Sequence, residues 1–152
     1  MYIEDHLKEY EGKKIKLFVD MDGVIADYDV GFPSGYDKKR PLKTTISKLE
    51  EISKRDNIEM YILSVTRMDE GLEEKNIWLD RFAPFFKKEN RVIISRESNA
   101  FELTANLKSN YLKSIERDGS VIIVIDDDPL ILKMIGETSK DIVRLKDTAM
   151  VI

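Results

Sequence analysis

Cysteine is absent from the 152-residue chain, and histidine and tryptophan each occur only once. Without thiols the chain can form neither disulfide bonds nor thiolate metal sites, which predicts a reducing, cytoplasmic location. Positive charge is not in excess either, because the net charge is −4, so we expect no general attraction to nucleic acid or an anionic membrane. No apolar run approaches the ~20 residues of a membrane span, and we therefore expect no membrane partner.

The length fits one domain, 1–152, and 42% hydrophobic with 36% charged residues is typical of a globular protein. The stretch 1–14 is charged and lacks the apolar core of a secretory signal. Its pattern predicts an N-terminal helical arm, either packed as an amphipathic helix or frayed. The single histidine, His6, lies in this arm, far in sequence from the acidic motifs, and we do not expect a catalytic role for it.

Five short apolar runs alternate with helical stripes along the rest of the chain. The runs occupy residues 15–19, 60–63, 91–95, 121–125 and 142–145. This alternation predicts a three-layer, doubly wound, Rossmann-like α/β fold, with a five-stranded parallel sheet and helices on both faces. Asp128 followed by Pro129 indicates the start of the last helix, because aspartate caps helices and proline suits the first helical position.

Carboxylates follow the first and the fourth of these apolar runs. Asp20 and Asp22 come after the first run, and Asp126 and Asp127 come at the end of the fourth. Because the carboxyl ends of parallel strands meet at one edge of the sheet, we expect the four side chains to converge there. Together they would repel each other without a cation, and oxygen ligands suit Mg²⁺. Helix capping is the alternative for the second pair, but Asp128 alone satisfies it.

The segment Asp20-Met21-Asp22-Gly23-Val24, with Ser64, Lys108 and Asp126-Asp127, resembles the four motifs of the haloacid dehalogenase-like (HAD) phosphohydrolase superfamily. The resemblance extends over about residues 16–145. The first and fourth motifs are specific to the superfamily, whereas the single serine and the single lysine support the resemblance only through their positions. The serine ends the second apolar run, and the lysine opens a predicted helix.

The resemblance implies a role for each motif residue. Asp20 would be the nucleophile that forms an aspartyl-phosphate, and Asp22 the general acid and base. Ser64 would hydrogen-bond a phosphate oxygen, and Lys108 would neutralise charge on the transferring group. Lys113 is the competing residue for this cation, but its position further along the helix favours the surface.

The resemblance also implies a Mg²⁺ site. The ligands would be a carboxylate oxygen of Asp20, the backbone carbonyl of Asp22 and one acid of the fourth motif. Asp127 is preferred as that acid, with Asp126 supporting the site from beside it. Which of the two binds the metal directly stays open.

Residues 28–43 contain two glycines and two prolines and predict a loop or flap, where the superfamily often carries a cap. Five residues are candidates for substrate contacts. They are Gly23, Arg67, Arg96, Tyr36 and Lys38. Gly23 would allow close approach to the backbone, whereas the flap residues could stack on a base or attract phosphate. Surface positions are the alternative for the basic side chains.

The first motif and the paired aspartates look most like the 5′(3′)-deoxyribonucleotidase branch, although only the flap 28–43 stands in place of its helical cap. This implies a Mg²⁺-dependent phosphatase acting on (deoxy)nucleoside monophosphates. The near-capless site also resembles the 3′-phosphatase domain of polynucleotide kinase-phosphatase, which acts on nucleic-acid ends. A non-catalytic domain that binds phosphate or Mg²⁺ is the third interpretation. The sequence does not indicate an oligomeric state.

Overall fold

The computed structural model describes residues 2–28 and 35–150 of the chain. Within these residues five strands alternate with helices. The strands are β1 Ile15–Val19, β2 Ile58–Thr66, β3 Arg91–Ser95, β4 Val121–Asp126 and β5 Val143–Lys146. The helices are α1 Ile3–Glu9, α2 Lys43–Ser53, α3 Glu70–Phe82, α4 Thr104–Ser114 and α5 Pro129–Thr138. Short 3₁₀ turns occupy Tyr36–Lys38, Lys88–Asn90, Glu97–Asn99 and Asp147–Met150.

The five strands form one parallel sheet in the order β3-β2-β1-β4-β5, which confirms the predicted fold. β1 lies at the centre, with Val19 paired to Ile62 of β2 and to Ile125 of β4. The chain moves outward through β2 and β3, then crosses to the other side of β1 for β4 and β5. The strand order therefore reverses between β1 and β4, which is where doubly wound sheets bind their ligands.

Alternate side chains of the central strand enter two separate hydrophobic clusters, as the two faces of a strand require. Leu17 and Val19 belong to the cluster that includes residues of α1, α2 and α3. Phe18 belongs to the cluster that includes residues of α4 and α5. The sheet is thus covered on both faces, which explains why the strands are apolar without polar alternation.

Two predicted boundaries are wrong by a few residues. β2 continues past Ser64 to Thr66, so the serine lies inside the strand. α4 begins at Thr104, one turn before Lys108, so the lysine does not open the helix. α5 continues through Gly136 and ends in the polar stretch after it, at Thr138.

The two ends of the flap are joined by backbone hydrogen bonds. Asp27 N donates to Arg40 O (2.9 Å), and Leu42 N donates to Ile25 O (2.8 Å). Gly31 and Pro33, on which the prediction of a loop partly rested, lie outside the described residues. Among the described helices, none is long and apolar enough to cross a lipid bilayer.

The N-terminal helix α1 is packed against the sheet, because Ile3 and Leu7 are buried in the first cluster. We therefore expect Leu7→Ala to lower the free energy of unfolding by roughly 2–5 kcal/mol, as buried leucine truncations do. Lys8→Ala, on the exposed side of the same helix, should change it by less than about 0.5 kcal/mol. Urea denaturation measures both, and equal small effects would indicate that the arm is frayed.

Candidate active site

The four predicted carboxylates lie at the edge of the sheet where β1 and β4 end. Asp20 directly follows β1, and its backbone N–H donates to Ile125 O (3.0 Å), which continues the pairing of β1 with β4. Asp126 is the last residue of β4. The sheet register therefore brings the Asp20 and Asp126 side chains next to each other, as the sequence predicted.

Lys108 lies between these two carboxylates. Its Nζ donates to Asp20 Oδ1 (2.9 Å) and to Asp126 Oδ2 (2.6 Å), and only 2% of its side chain is exposed. Burial alone would lower the pKa of Lys108, but the two carboxylates outweigh it and raise the pKa. The lysine is therefore a permanent cation. Lys113, the competing residue, is exposed.

Helix α4 brings Lys108 to this position because one face of the helix packs on the second cluster. Leu112, four residues on, lies on the same face and is fully buried in that cluster. Ser109, also buried, donates its hydroxyl to the carbonyl of Ala105 one turn earlier (2.5 Å). The apolar contacts of the helix therefore fix the direction in which the lysine points.

Asp126 and Asp127 have different surroundings. Both oxygens of Asp126 accept hydrogen bonds, Oδ2 from Lys108 and Oδ1 from the backbone N–H of Asp128 (3.0 Å). Burial, with a smaller effect of the neighbouring Asp20, raises the pKa of Asp126 to about 6. Asp127 is half-buried, and burial raises its pKa as well.

One oxygen from each of Asp20, Asp126 and Asp127 lies within 4.8 Å of the other two, an arrangement that could hold a metal ion. The pKa of Asp20 is raised chiefly by burial, although Lys108 opposes the shift. Burial is the largest cause of the raised pKa of all three carboxylates, because it disfavours their charged form. Carboxylate oxygens are the ligands that Mg²⁺ and Ca²⁺ prefer, so the donor set fits a hard divalent cation.

Gly23 allows the turn after Asp22 to lie against Asp127. Its φ is +82°, in the left-handed region that favours glycine. A Cβ at this position would come within 2.3 Å of Asp127 Oδ2 and 2.7 Å of the Tyr28 hydroxyl. The glycine is therefore required both by the backbone conformation and by the position of the Asp127 carboxylate.

Asp22 is held by three side chains. Oδ1 accepts hydrogen bonds from the Tyr36 hydroxyl (2.8 Å) and from Lys39 Nζ, and Oδ2 accepts one from Lys75 Nζ (3.3 Å). Burial alone would raise the pKa of Asp22, but these cations and hydrogen bonds together lower it. In this arrangement Asp22 is ionised at neutral pH. The Tyr36 hydroxyl stays protonated, because burial and Asp22 raise its pKa.

The described part of the flap is fixed to helix α3. The backbone N–H of Tyr36 donates to Glu74 Oε2 (3.1 Å), and Trp78 Nε1 donates to Lys39 O (2.9 Å). The ring of Tyr36 packs edge-on against the buried Trp78. Tyr36 was predicted as a base-stacking residue, whereas here its ring and its hydroxyl both contact the protein. Lys38, its predicted neighbour in substrate binding, is exposed.

Ser64 is buried beside Asp22, and Lys75 of α3 contacts both residues. Lys75 Nζ donates to Ser64 Oγ (2.6 Å) and to Val65 O (3.0 Å). Only 4% of the lysine side chain is exposed. Burial lowers the pKa of Lys75, although Asp22 and Asp20 oppose the shift.

The structure does not place the two arginine candidates in the carboxylate cluster. Arg67 is exposed, and its carbonyl accepts a hydrogen bond from Glu97 N (3.0 Å). The guanidinium of Arg96 donates to Glu102 O (2.7 Å) and Phe101 O (2.9 Å), where it holds a loop whose Phe101 has φ +54°. Their roles in substrate binding stay predictions.

Sequence reasoning missed two residues of the site, Lys75 and Lys39. In the sequence Lys75 shares a helical stripe with Leu72, Leu79 and Phe82, and a lysine in an apolar stripe is a signal of a buried charge. Lys39 lies among the basic residues of the flap, 28–43, which gives no sign of a contact with the site. Its contact with Asp22 depends on the path of the flap, which local pattern does not define.

No protein-family profile and no curated protein sequence matches the chain. Its fold is similar to that of several solved structures, including the following two. One is the Pnkp1/Rnl/Hen1 RNA repair complex, with 16% identity and a TM-score of 0.67 over 90% of this chain and 43% of that chain. The other is an N-terminal part of the protein BF1531 from Bacteroides fragilis, containing a phosphatase domain complexed with Mg, with 18% identity and a TM-score of 0.57 over 91% of this chain and 37% of that chain.

These similarities establish the fold of the chain. In both cases the chain spans less than half of the protein chain that it matches. What those longer proteins bind and do is therefore a source of hypotheses for this chain.

The contact of Gly23 with Asp127 leads to a prediction with a matched control. Gly23→Ala should displace the Asp127 carboxylate and weaken Mg²⁺ binding roughly 10–100-fold, as loss of a supporting contact typically does. Gly12→Ala introduces the same backbone strain, since φ is +83°, but nothing lies within 4 Å of its Cβ. Calorimetric Mg²⁺ titration of both variants should show the loss only for Gly23→Ala, and an equal loss in both would contradict the contact.

Proposed function

We propose that the chain is a Mg²⁺-dependent phosphatase of the haloacid dehalogenase-like type that hydrolyses phosphomonoesters through an aspartyl-phosphate. The observation that supports it most is the pair Asp20 and Asp22 after β1, with Lys108 bridging Asp20 to Asp126. This arrangement provides a nucleophile, a second carboxylate and a fixed cation at one point of the sheet. The similarity to a structure containing a phosphatase domain complexed with Mg supports the same proposal.

In the first step, a carboxylate oxygen of Asp20 attacks phosphorus in line with the leaving group, and the ester P–O bond breaks. The leaving oxygen takes a proton from Asp22. In the second step, water attacks the phosphorus, Asp22 accepts its proton, and the bond to Asp20 breaks to release phosphate. Lys108 neutralises charge on Asp20 throughout, and the hydroxyl of Ser64 binds a phosphate oxygen.

Asp22 must carry a proton for the first step, although its contacts hold it ionised. A phosphate dianion brought beside it adds negative charge, which raises the pKa of a carboxyl group. Substrate binding thus favours the protonated acid, and departure of the leaving group restores the base. Lys39 and Tyr36, which share Oδ1 of Asp22, are the contacts that the incoming phosphate would compete with.

Mg²⁺ would be held by Asp20, by the backbone carbonyl of Asp22 and by Asp127. Asp127 is the better candidate for the acid of the fourth motif, because both oxygens of Asp126 are already hydrogen-bonded within the protein. Bound there, the cation would supply Lewis-acid stabilisation of the charge on the phosphoryl oxygens.

We propose (deoxy)nucleoside monophosphates as the substrates. The cleft lined by Asp20, Asp127, Tyr28 and Thr104 has a volume of about 160 Å³, below the ~300–1,000 Å³ of pockets that enclose a whole small ligand. It therefore encloses the phosphate group and leaves the rest of the substrate outside. A flat, partly apolar nucleobase is suited to such an exposed position.

A second candidate function is the removal of phosphate from nucleic-acid ends. Among the described residues, five of the seven exposed large apolar side chains lie in segments that follow the carboxyl ends of strands. They are Tyr28, Met68, Phe101, Leu103 and Leu130. Aromatic side chains can stack on the bases of a strand, and Tyr28 lines the cleft. The similarity to a chain of an RNA repair complex favours the same candidate.

Asp20→Asn should abolish hydrolysis of p-nitrophenyl phosphate with Mg²⁺ and leave the fold intact, because it removes the attacking oxygen. Asp128→Asn is the matched control. Asparagine caps helix α5 as well as aspartate does, so this variant should keep most of the activity. Activity of Asp20→Asn comparable to that of the unaltered chain would rule out the aspartyl-phosphate. Lack of turnover by the unaltered chain would favour a non-catalytic domain that binds phosphate or Mg²⁺.

Substitution of the two fourth-motif acids should have opposite effects. Asp127→Ala should weaken Mg²⁺ binding strongly and change the stability of the metal-free protein little, because the residue is only half-buried. Asp126→Ala should destabilise the metal-free protein more, because it leaves Lys108 buried with one partner fewer. Calorimetric titration and thermal unfolding measure the two effects, and the reverse order would assign the metal to Asp126.

A further inference from the structure

Lys75 is a buried cation on helix α3 that none of the four motifs contains. Its Nζ lies at hydrogen-bond distance from three oxygen atoms, Ser64 Oγ, Val65 O and Asp22 Oδ2. The contact with Ser64, at 2.6 Å, is the shortest of the three, and the contact with Asp22, at 3.3 Å, lies beyond the usual range. Lys75 is therefore bound most closely to the serine.

The direction of each hydrogen bond follows from the groups involved. A backbone carbonyl and a carboxylate can only accept, and an ammonium group can only donate. The three protons of Lys75 are thus directed to Val65 O, Asp22 and Ser64. The Ser64 oxygen must accept from the lysine, and its own proton is left to donate elsewhere. A serine hydroxyl otherwise rotates freely between donor directions.

We propose that Lys75 is a positioning residue that fixes the Ser64 hydroxyl as a hydrogen-bond donor toward the phosphoryl group. This proposal rests on the proposed phosphatase function, in which Ser64 binds a phosphate oxygen. Lys75 itself does not contact the phosphate, because its three protons are used within the protein. Its effect on the reaction is exerted through the serine.

The burial of Lys75 agrees with this role. The side chain passes beside the ring of Tyr36, with Nζ 5.2 Å from the ring centre. It lies on the same face of α3 as two residues that are also buried, Trp78 and Leu79. A lysine that bound substrate directly would need a free proton on the open side of the cleft. The residues that line the cleft include Lys108 as their cation.

A double-mutant cycle tests the proposal, because it measures whether one residue acts through the other. The four proteins are the unaltered chain, Ser64→Ala, Lys75→Met and the double variant. Hydrolysis of p-nitrophenyl phosphate with Mg²⁺ gives kcat and KM, and calorimetry gives the Kd of inorganic phosphate. Methionine keeps most of the length of the unbranched lysine side chain and removes its ammonium group.

We expect Lys75→Met alone to lower kcat/KM on the order of 10–100-fold, somewhat less than the loss of a preorganised donor. In the Ser64→Ala background the same substitution should lower it less than about threefold, since no hydroxyl remains to be oriented. Phosphate affinity should follow the same pattern. Equal losses in both backgrounds would overturn the proposal and make Lys75 independent of Ser64.

The control is Lys48→Met. Lys48 is also largely buried, and its ion pairs with Glu4 and Glu51 lie on α1 and α2, outside the site. Its substitution should leave kcat, KM and phosphate affinity unchanged. If Lys75→Met does not fold, Lys75→Gln replaces it in the cycle, because its amide keeps a donor for Val65 O. The same difference between the two backgrounds is then expected.

The phosphate titration separates this proposal from the proposed function. An unaltered chain that binds phosphate without hydrolysing p-nitrophenyl phosphate would overturn the phosphatase activity. The cycle measured on phosphate binding would then still decide the role of Lys75. An unaltered chain that does not bind phosphate in the presence of Mg²⁺ would overturn both.

Discussion

The burial of Lys108 between Asp20 and Asp126 is the constraint on which the rest of the site depends. A charged group taken out of water costs several kcal/mol unless it is paired and hydrogen-bonded. The pairing requires that β1 and β4 be neighbours, that both end at the same level, and that α4 point one face at the strand ends. The sheet order and the packing of α4 with α5 meet all three conditions. The fold therefore provides the charge pairing that the buried Lys108 requires.

The positive and negative charges of the site nearly cancel. Four carboxylates face three ammonium groups. They are Asp20, Asp22, Asp126 and Asp127, with Lys39, Lys75 and Lys108. With all seven ionised, the protein supplies one excess negative charge. A divalent cation would turn the excess positive, which is the sign that attracts a phosphate dianion into a shallow cleft.

Much of the fold and of the carboxylate site could be predicted from the sequence, because both depend on patterns of neighbouring residues. The apolar runs and their spacing predicted the five parallel strands, and the acids after β1 and β4 predicted the convergence at one edge. The positions of Lys75 and Lys39 could not be predicted in the same way. Lys75 is identified by three oxygens from other parts of the chain, and Lys39 by the path of a flap. Such contacts are set by tertiary packing.

The boundary errors have a related cause. The positions of Ser64 inside β2 and Lys108 in the second turn of α4 reflect pairing and helix packing beyond the residues that the motifs include. The contact between Gly23 and Asp127 likewise joins the turn after β1 to the end of β4. The sequence indicated only that Gly23 would allow close approach to the backbone. The second reason, the room that Asp127 requires, appears only when the strands are adjacent.

The backbone hydrogen bonds between Asp27 and Arg40, and between Leu42 and Ile25, form a closed neck beneath the flap. The chain therefore leaves and re-enters the core at almost the same place on either side of the flap. Loop-closure entropy grows only slowly with length, so an insertion at this point costs little stability. The turn below the neck, which carries Asp20 and Asp22, need not move when the segment above it changes. Accessory segments of very different size could therefore be exchanged here, and substrate range could evolve while the chemistry remains the same.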